Sequence, residues 1–359
     1  MRLIERIWRE DQPVLRVARA VLFPFEAAYR AAAVTRGWMY ERGLLRVSRS
    51  RIIVVSVGNI SVGGTGKTPF AAWLAAELAA RGARPAVVLR GYGGDEPLVH
   101  ARLNPEIPVI IEKHRADGIA RAAQLGATVA VLDDAFQHRA ATREIDIVLV
   151  AAEQWQGERR MRLLPAGPWR EPLSSIKRAA LVVVTRKTAN ASQVQRLRDA
   201  IDRAAPMLPQ SVVRFGLGEL RAAQGGHERE VLPLSAVVNR PTAAIAGVAD
   251  PAAFFRQLTD AGAMVTPFAF PDHHRYSARD VEEILAAVGA RDALVVCTLK
   301  DAVKLAPIWP ATAPSLWYVL QTLQVESGRE ELEKVLSQLT QDDATRKSNR
   351  EDADASSNP

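Results

Sequence analysis

The chain has 359 residues, 48% of them hydrophobic and 24% charged, enough to bury the cores of two domains and outside the range of fibrous or broadly disordered chains. Its single cysteine, Cys297, excludes an internal disulfide and a cysteine-based metal centre, and fits a reducing compartment. The net charge of +7 gathers at one end: residues 1–51 carry eleven arginines against five acids, a surplus of six, so no second basic surface is implied.

Between those arginines stand Trp8, Leu15, Val21, Leu22, Phe23, Phe25, Tyr29, Trp38 and Tyr40. This mixture predicts a basic amphipathic helical region over residues 1–50, lying at an anionic membrane surface. A helix docked on the core is a competing reading. Nucleic acid is a third, set aside because the rest of the chain is almost neutral. No apolar run reaches about 18 residues, and scattered charges break any signal-peptide core.

From residue 51 to 221 the pattern alternates strand and helix, which predicts a P-loop NTPase-like, mostly parallel α/β sheet with helices on both faces. The strand at 52–57 runs into Gly58-Asn59-Ile60-Ser61-Val62-Gly63-Gly64-Thr65-Gly66-Lys67-Thr68-Pro69, and an alanine-rich helix follows at 69–81. Strand, glycine-rich loop, Lys-Thr and helix form a phosphate cradle. Backbone N–H groups of Gly63, Gly64, Thr65 and Gly66 point at phosphate oxygens, the helix adds its positive end, and Lys67 and Thr68 supply an ammonium and a Mg²⁺-directed hydroxyl. Ser61 replaces the first glycine of the usual pattern, while Gly63, Gly64 and Gly66 keep the conformational freedom the loop needs.

A strand at 85–90 delivers Arg90-Gly91-Tyr92-Gly93-Gly94-Asp95-Glu96-Pro97 to the carboxyl edge of the sheet, where open α/β folds bind ligands. Asp95 and Glu96 are placed there for base chemistry, and a glycine-rich surface turn is the plain alternative. After a strand at 109–112 and a helix at 115–125, the strand at 128–132 ends in Asp133-Asp134, as a Walker B strand ends beside Mg²⁺. Ala135-Phe136-Gln137-His138-Arg139 follows, an unusual density of polar groups for a turn.

Strands at 146–150 and 181–185 and a helix at 192–205 complete this unit. Between them Leu164-Pro165-Ala166-Gly167-Pro168-Trp169-Arg170-Glu171-Pro172 forms a proline-bounded loop presenting Arg170 and Glu171. A polar linker at 222–230 opens a smaller second α/β unit over 222–340, with strands at 243–248 and 294–297 and helices at 251–261 and 278–288. It carries Phe270-Pro271-Asp272-His273-His274-Arg275-Tyr276. Adjacent histidines point apart on regular backbone, so a carboxylate-tuning role across a cleft is preferred to a metal site. The polar stretch 341–359 is expected to be disordered.

These segments together resemble the tetraacyldisaccharide 4′-kinase family over about residues 54–305. The resemblance rests on Ser56 through Pro69, Arg90 through Pro97, Asp133-Asp134-Ala135-Phe136-Gln137-His138, Leu164 through Pro172, Phe270 through His274, and Lys300-Asp301-Ala302-Val303-Lys304-Leu305. It implies an ATP- and Mg²⁺-dependent kinase that phosphorylates an acylated disaccharide, the precursor of lipid A, as a peripheral protein on the cytoplasmic face of the bacterial inner membrane. By the same resemblance Lys67 and Thr68 hold phosphates and Mg²⁺, Asp133 and Asp134 organise the metal, and Gln137 and His138 line the transferring phosphoryl group. Asp95 is the implied base, His273 its partner, and Asn59, Arg90, Arg170 and Glu171 the implied substrate contacts.

Three departures stand out. The insertion that usually separates the two glycine-rich segments is missing, so they fuse at Gly94; Ala135 stands where the family has glycine; and Leu299 stands where it has glutamate. Each could alter activity, though none removes a proposed catalytic group. The alternative function is a P-loop ATPase switch coupled to a membrane or protein partner. A guanine-reading switch would carry Asn-Lys-x-Asp, and Lys300-Asp301 lacks that spacing.

Overall fold

The computed structural model describes residues 7–8, 12–91, 94–224, 230–288 and 293–356. Tyr92 and Gly93 of the glycine-rich segment, most of the expected linker (225–229) and the last three residues of the tail lie outside the described residues.

The central strand β1 (Ile53–Asn59) is buried along its whole length, as a strand covered on both faces must be. Parallel neighbours flank it, β4 (Val129–Asp133) on one side and β5 (Ile145–Ala151) on the other. Beyond β4 lie β2 (Pro85–Leu89) and β3 (Val109–Ile111), and beyond β5 lie β6 (Leu181–Arg186) and β7 (Gln210–Ala222), all parallel. Each strand expected from sequence up to residue 185 coincides with one of these.

Successive residues of a strand point to opposite faces, and the packing follows that rule. Ile53, Val55 and Val57 pack with Phe70, Leu74 and Leu78 of helix α2 (Lys67–Ala80). Ile52 and Val54 pack with Ile119 and Ala122 of helix α4 (Arg115–Gln124), and Val148 and Val150 with Leu197 and Ile201 of helix α5 (Ala191–Ala204). Helix α3 (Glu96–Leu103) lies just after the β2 edge.

The second unit contains β9 (Pro241–Ala246), α6 (Pro251–Asp260), β10 (Met264–Ala269), α7 (Ala278–Val288), β11 (Leu294–Thr298), α8 (Leu299–Leu305) and β12 (Leu316–Ser327). Its sheet is not separate. β12 pairs antiparallel with β7 along most of both strands, giving the continuous order β10-β9-β11-β12-β7-β6-β5-β1-β4-β2-β3, with β8 (Val231–Leu232) on β7. The two long strands escaped the sequence reading because polar residues interrupt the apolar pattern of both, with Gly216 and Gly218 as well in β7.

The chain then returns to the first unit. Helix α9 (Arg329–Ser356) buries Leu332, Val335, Leu336 and Leu339 against β1 and α2, so 329–340 packs on the first core although the sequence grouped it with the second unit. The tail expectation is corrected here too: the backbone of 341–356 continues α9 as helix. Those residues include no glycine or proline, so nothing stops a helix already anchored by its four apolar side chains.

At the other end, helix α1 (Pro13–Glu41) lies along the loop that carries Arg170. Glu26 accepts the Leu163 N–H at 2.9 Å, and the Tyr29 hydroxyl donates to the Arg170 carbonyl at 3.0 Å. Val14, Val17, Val21 and Phe25 remain exposed on it. No helix among the described residues is long and apolar enough to cross a membrane.

Candidate active site

A cavity of about 860 Å³ opens where β1, β2 and β4 end, and it brings together segments far apart in sequence. Gly63 through Thr68, Arg90, Glu96, Asp133, Asp134, Gln137, His138, Arg170, His273 and Lys300 all contribute to its wall.

Gly66 shows why the loop needs glycine. It adopts φ 86°, and a Cβ there would lie 2.2 Å from the Phe215 ring, so only a bare Cα fits. Lys67 and Thr68 follow on the first turn of α2, the end at which backbone N–H groups have no helical acceptor. Two side chains brace the loop from below: Asn59 donates from Nδ2 to Thr65 Oγ1 at 3.0 Å, and Thr185 donates from Oγ1 to the Thr65 carbonyl at 3.0 Å. Asn59, implied as a substrate contact, is completely buried and lies off the cavity wall, beneath the loop.

The two acids after β4 occupy different settings. Asp134 has φ 51°, accepts from Arg170 Nη1 at 3.0 and 3.1 Å, and lies 3.7 Å from Lys67 Nζ. Burial alone would raise its carboxyl, but Lys67 and Arg170 outweigh that and hold it below the ordinary value. Asp133 is buried and meets His100 Nε2 through Oδ2 at 2.9 Å, while its Oδ1 has no hydrogen-bond partner. Arg115 Nη2 donates to the Asp133 carbonyl at 2.8 Å. Ala135 is buried in the core beside α4, and the left-handed residue is its neighbour Asp134, so the extra methyl is accommodated.

Glu96, at the start of α3, is pushed up to about 7, first by burial and then by the nearby Asp133 carboxylate. Two interacting carboxyls on the cavity wall, Asp133 buried with an unpartnered oxygen and Glu96 half-buried, suit a cation. No cluster of three or more His, Cys, Asp and Glu that could hold a metal occurs among the described residues. Mg²⁺ commonly takes one or two carboxylates and completes its shell from phosphates and water, so the donors present fit it.

Gln137 donates from Nε2 to the Asn59 carbonyl at 2.8 Å and to Glu171 Oε1 at 3.1 Å. Glu171, implied as a substrate contact, also accepts from Arg178 at 2.8 Å and lies off the cavity wall, where it holds Gln137. Burial and then Arg115 lower the His138 imidazole, favouring its neutral form.

On the opposite wall, His273 adopts φ 58° and points Nδ1 at Asp95, 3.0 Å from Oδ1 and 3.2 Å from Oδ2. Lys300 Nζ lies 3.2 Å from His273 Nε2 and 2.9 Å from Asp272, and Lys304 Nζ is 3.5 Å from Asp95. Burial would raise the Asp95 carboxyl, but the His273 hydrogen bond and Lys300 bring it below its ordinary value. The Asp95 bond raises His273 against burial. Asp95 does not line the cavity and His273 does. His274 turns away to Asp280 at 3.3 Å, as adjacent side chains do.

The family model described as LpxK, tetraacyldisaccharide-1-P 4′-kinase, matches residues 18–94 and 93–341. This chain belongs to the tetraacyldisaccharide 4′-kinase family. The match divides at 93–94, where the two glycine-rich segments fuse. A tetraacyldisaccharide 4′-kinase of Anaeromyxobacter dehalogenans (strain 2CP-C) is 40% identical over 345 residues, covering 86% of this chain and 88% of its own. One from Syntrophobacter fumaroxidans is 38% identical over 331 residues, covering 84% of both chains. The solved structure of LpxK from Aquifex aeolicus in complex with ATP is similar with a TM-score of 0.70 and 27% identity, covering 90% of this chain and 99% of that one.

Two residues were not singled out from sequence: Arg115, on the cavity wall, and His100, buried against Asp133. Arg115 opens α4 with no motif around it. His100 lies four residues after Glu96, so a helix starting at Glu96 would have put both on one face.

Proposed function

We propose that this chain binds ATP and Mg²⁺ and transfers the γ-phosphoryl group to the 4′-hydroxyl of a tetraacylated glucosamine disaccharide in lipid A biosynthesis. The observation that carries it is one cavity with the phosphate loop on one wall and His273, hydrogen-bonded to Asp95 behind it, on the other.

Lys67 and the loop amides hold phosphate oxygens, and Arg170 and Arg90 add positive charge around the phosphoryl group, as charge-stabilising donors do in phosphoryl transfer. Thr68 and Asp133 would hold Mg²⁺, with Glu96 beside them. When bound it would neutralise charge on the phosphates. Asp134, engaged by Lys67 and Arg170, orients those cations. Gln137 and neutral His138 line the same wall.

A carboxylate accepts only, so His273 Nδ1 carries the proton it shares with Asp95, and the lone pair of the neutral ring lies on Nε2, where it accepts from Lys300 at 3.2 Å. The pair acts as one base: the acceptor hydroxyl replaces Lys300 at Nε2, Lys300 keeping its bond to Asp272, and Nε2 takes the hydroxyl proton while Asp95 steadies the ring and the charge it gains. This inverts the order suggested by sequence, with His273 nearer the acceptor and Asp95 behind it. The exposed apolar stripe of α1 and the arginine surplus support peripheral binding at the cytoplasmic face of the inner membrane, where an acylated sugar would be presented.

Purified protein incubated with labelled ATP, Mg²⁺ and a detergent-dispersed acylated glucosamine disaccharide should yield a labelled lipid. ATP turnover that is unchanged by the acceptor and leaves the lipid unlabelled would favour the switch reading instead.

A further inference from the structure

His100 lies fully inside the protein on α3, one turn beyond Glu96, where an apolar side chain would be the ordinary occupant. Burying an imidazole is costly unless it is hydrogen-bonded, and the bond it makes is to Asp133. Both partners are buried, at 1% and 2% side-chain exposure, and their contact of 2.9 Å is direct. Because the carboxylate can only accept, Nε2 carries the proton and donates to Oδ2.

Asp133 Oδ1 is left without a partner, and so is His100 Nδ1. Arg115 holds the main chain at the Asp133 carbonyl and makes no hydrogen bond to the carboxylate. Only one oxygen of Asp133 is therefore fixed by hydrogen bonding, and His100 supplies that bond.

We propose that His100 is a positioning residue for the cation, orienting the Asp133 carboxylate through Oδ2 so that Oδ1 is kept as the coordinating oxygen. The inference rests on the reading of Asp133 as a Mg²⁺ ligand. Groups that hold a metal ligand in place typically change affinity by about 10- to 100-fold when removed.

His100→Leu keeps the bulk and removes the donor, and His100→Gln restores an N–H near the same place. Binding of Mn²⁺ to the protein loaded with a non-hydrolysable ATP analogue, followed by electron paramagnetic resonance, should weaken by about tenfold or more in His100→Leu and recover most of that in His100→Gln. The Mg²⁺ concentration for half-maximal rate should rise in parallel, while metal-free nucleotide affinity stays near that of the unmodified protein. Unchanged Mn²⁺ affinity in His100→Leu, or equal losses in both variants, overturns the positioning role. Asp133→Asn separates the two levels of the argument: if it also leaves Mn²⁺ affinity intact, the metal assignment falls along with the inference, whereas a loss confined to Asp133→Asn removes only the role of His100.

Discussion

His273, from the loop after β10, is hydrogen-bonded through Nδ1 to both oxygens of Asp95, the residue that precedes α3 in the other half of the sheet. Asp95 has 1% side-chain exposure and His273 has 34%, so the carboxylate is the hidden member and the imidazole the accessible one. If they act as a unit, their losses are non-additive. Asp95→Ala and His273→Ala should each slow phosphoryl transfer by about 100-fold or more, and the double variant should be little worse than the slower single one. ATP affinity should survive in all three. Multiplicative losses in single-turnover assays would show two independent groups.

The same bond predicts how stability depends on pH. Asp95 is lowered from an ordinary 3.8, so its contribution is present above that value and lost as pH falls through the folded-state value. His273 is raised from an ordinary 6.5, so its contribution is full below 6.5 and lost as pH rises through its folded-state value. The pair therefore stabilises most between about 4 and 6.5. Melting temperatures followed from pH 5 to 9 should fall less steeply in Asp95→Asn than in the unmodified protein. Parallel curves would mean that the bond does not form in solution.

How much of this was legible in the sequence depended on how local the signal was. The phosphate loop, Asp133-Asp134 and the paired histidines are contiguous motifs whose chemistry is written in neighbouring residues. Their strands are short apolar runs that stand out from the background. Joining the halves was not legible, because β7 and β12 are long, polar on one side and paired across about a hundred residues. The direction of the Asp95–His273 pair escaped for a related reason: burial depends on what packs over a residue, and Lys300 and Lys304, which close over Asp95, come from α8. His100 carried a readable cue only once α3 was known to begin at Glu96.

The phosphate site gives a direct test. Lys67 lies on the cavity wall within 3.7 Å of Asp134, so its ammonium is held in place before nucleotide arrives. Preorganised charges of this kind typically contribute 100-fold or more to turnover. Lys67→Ala should therefore lower kcat by at least about 100-fold with little change in melting temperature. Near-normal turnover would sink the phosphate-loop assignment.

The membrane affinity proposed for α1 can be tested through the two faces of that helix with the fold left intact. Glu26 and Tyr29 tie one face to the loop carrying Arg170, so removing the whole helix would disturb the active site as well as any lipid contact. Val14, Val17, Val21 and Phe25 recur at helical spacing on the other face and remain exposed. Changing Val17, Val21 and Phe25 together to serine should shift the protein away from anionic vesicles in sedimentation, while its melting temperature holds. Added salt should weaken binding of the unmodified protein further, since exposed charges are screened over roughly 8 Å at physiological ionic strength. A triple variant that sediments with vesicles as well as the unmodified chain would place the anchor on another surface.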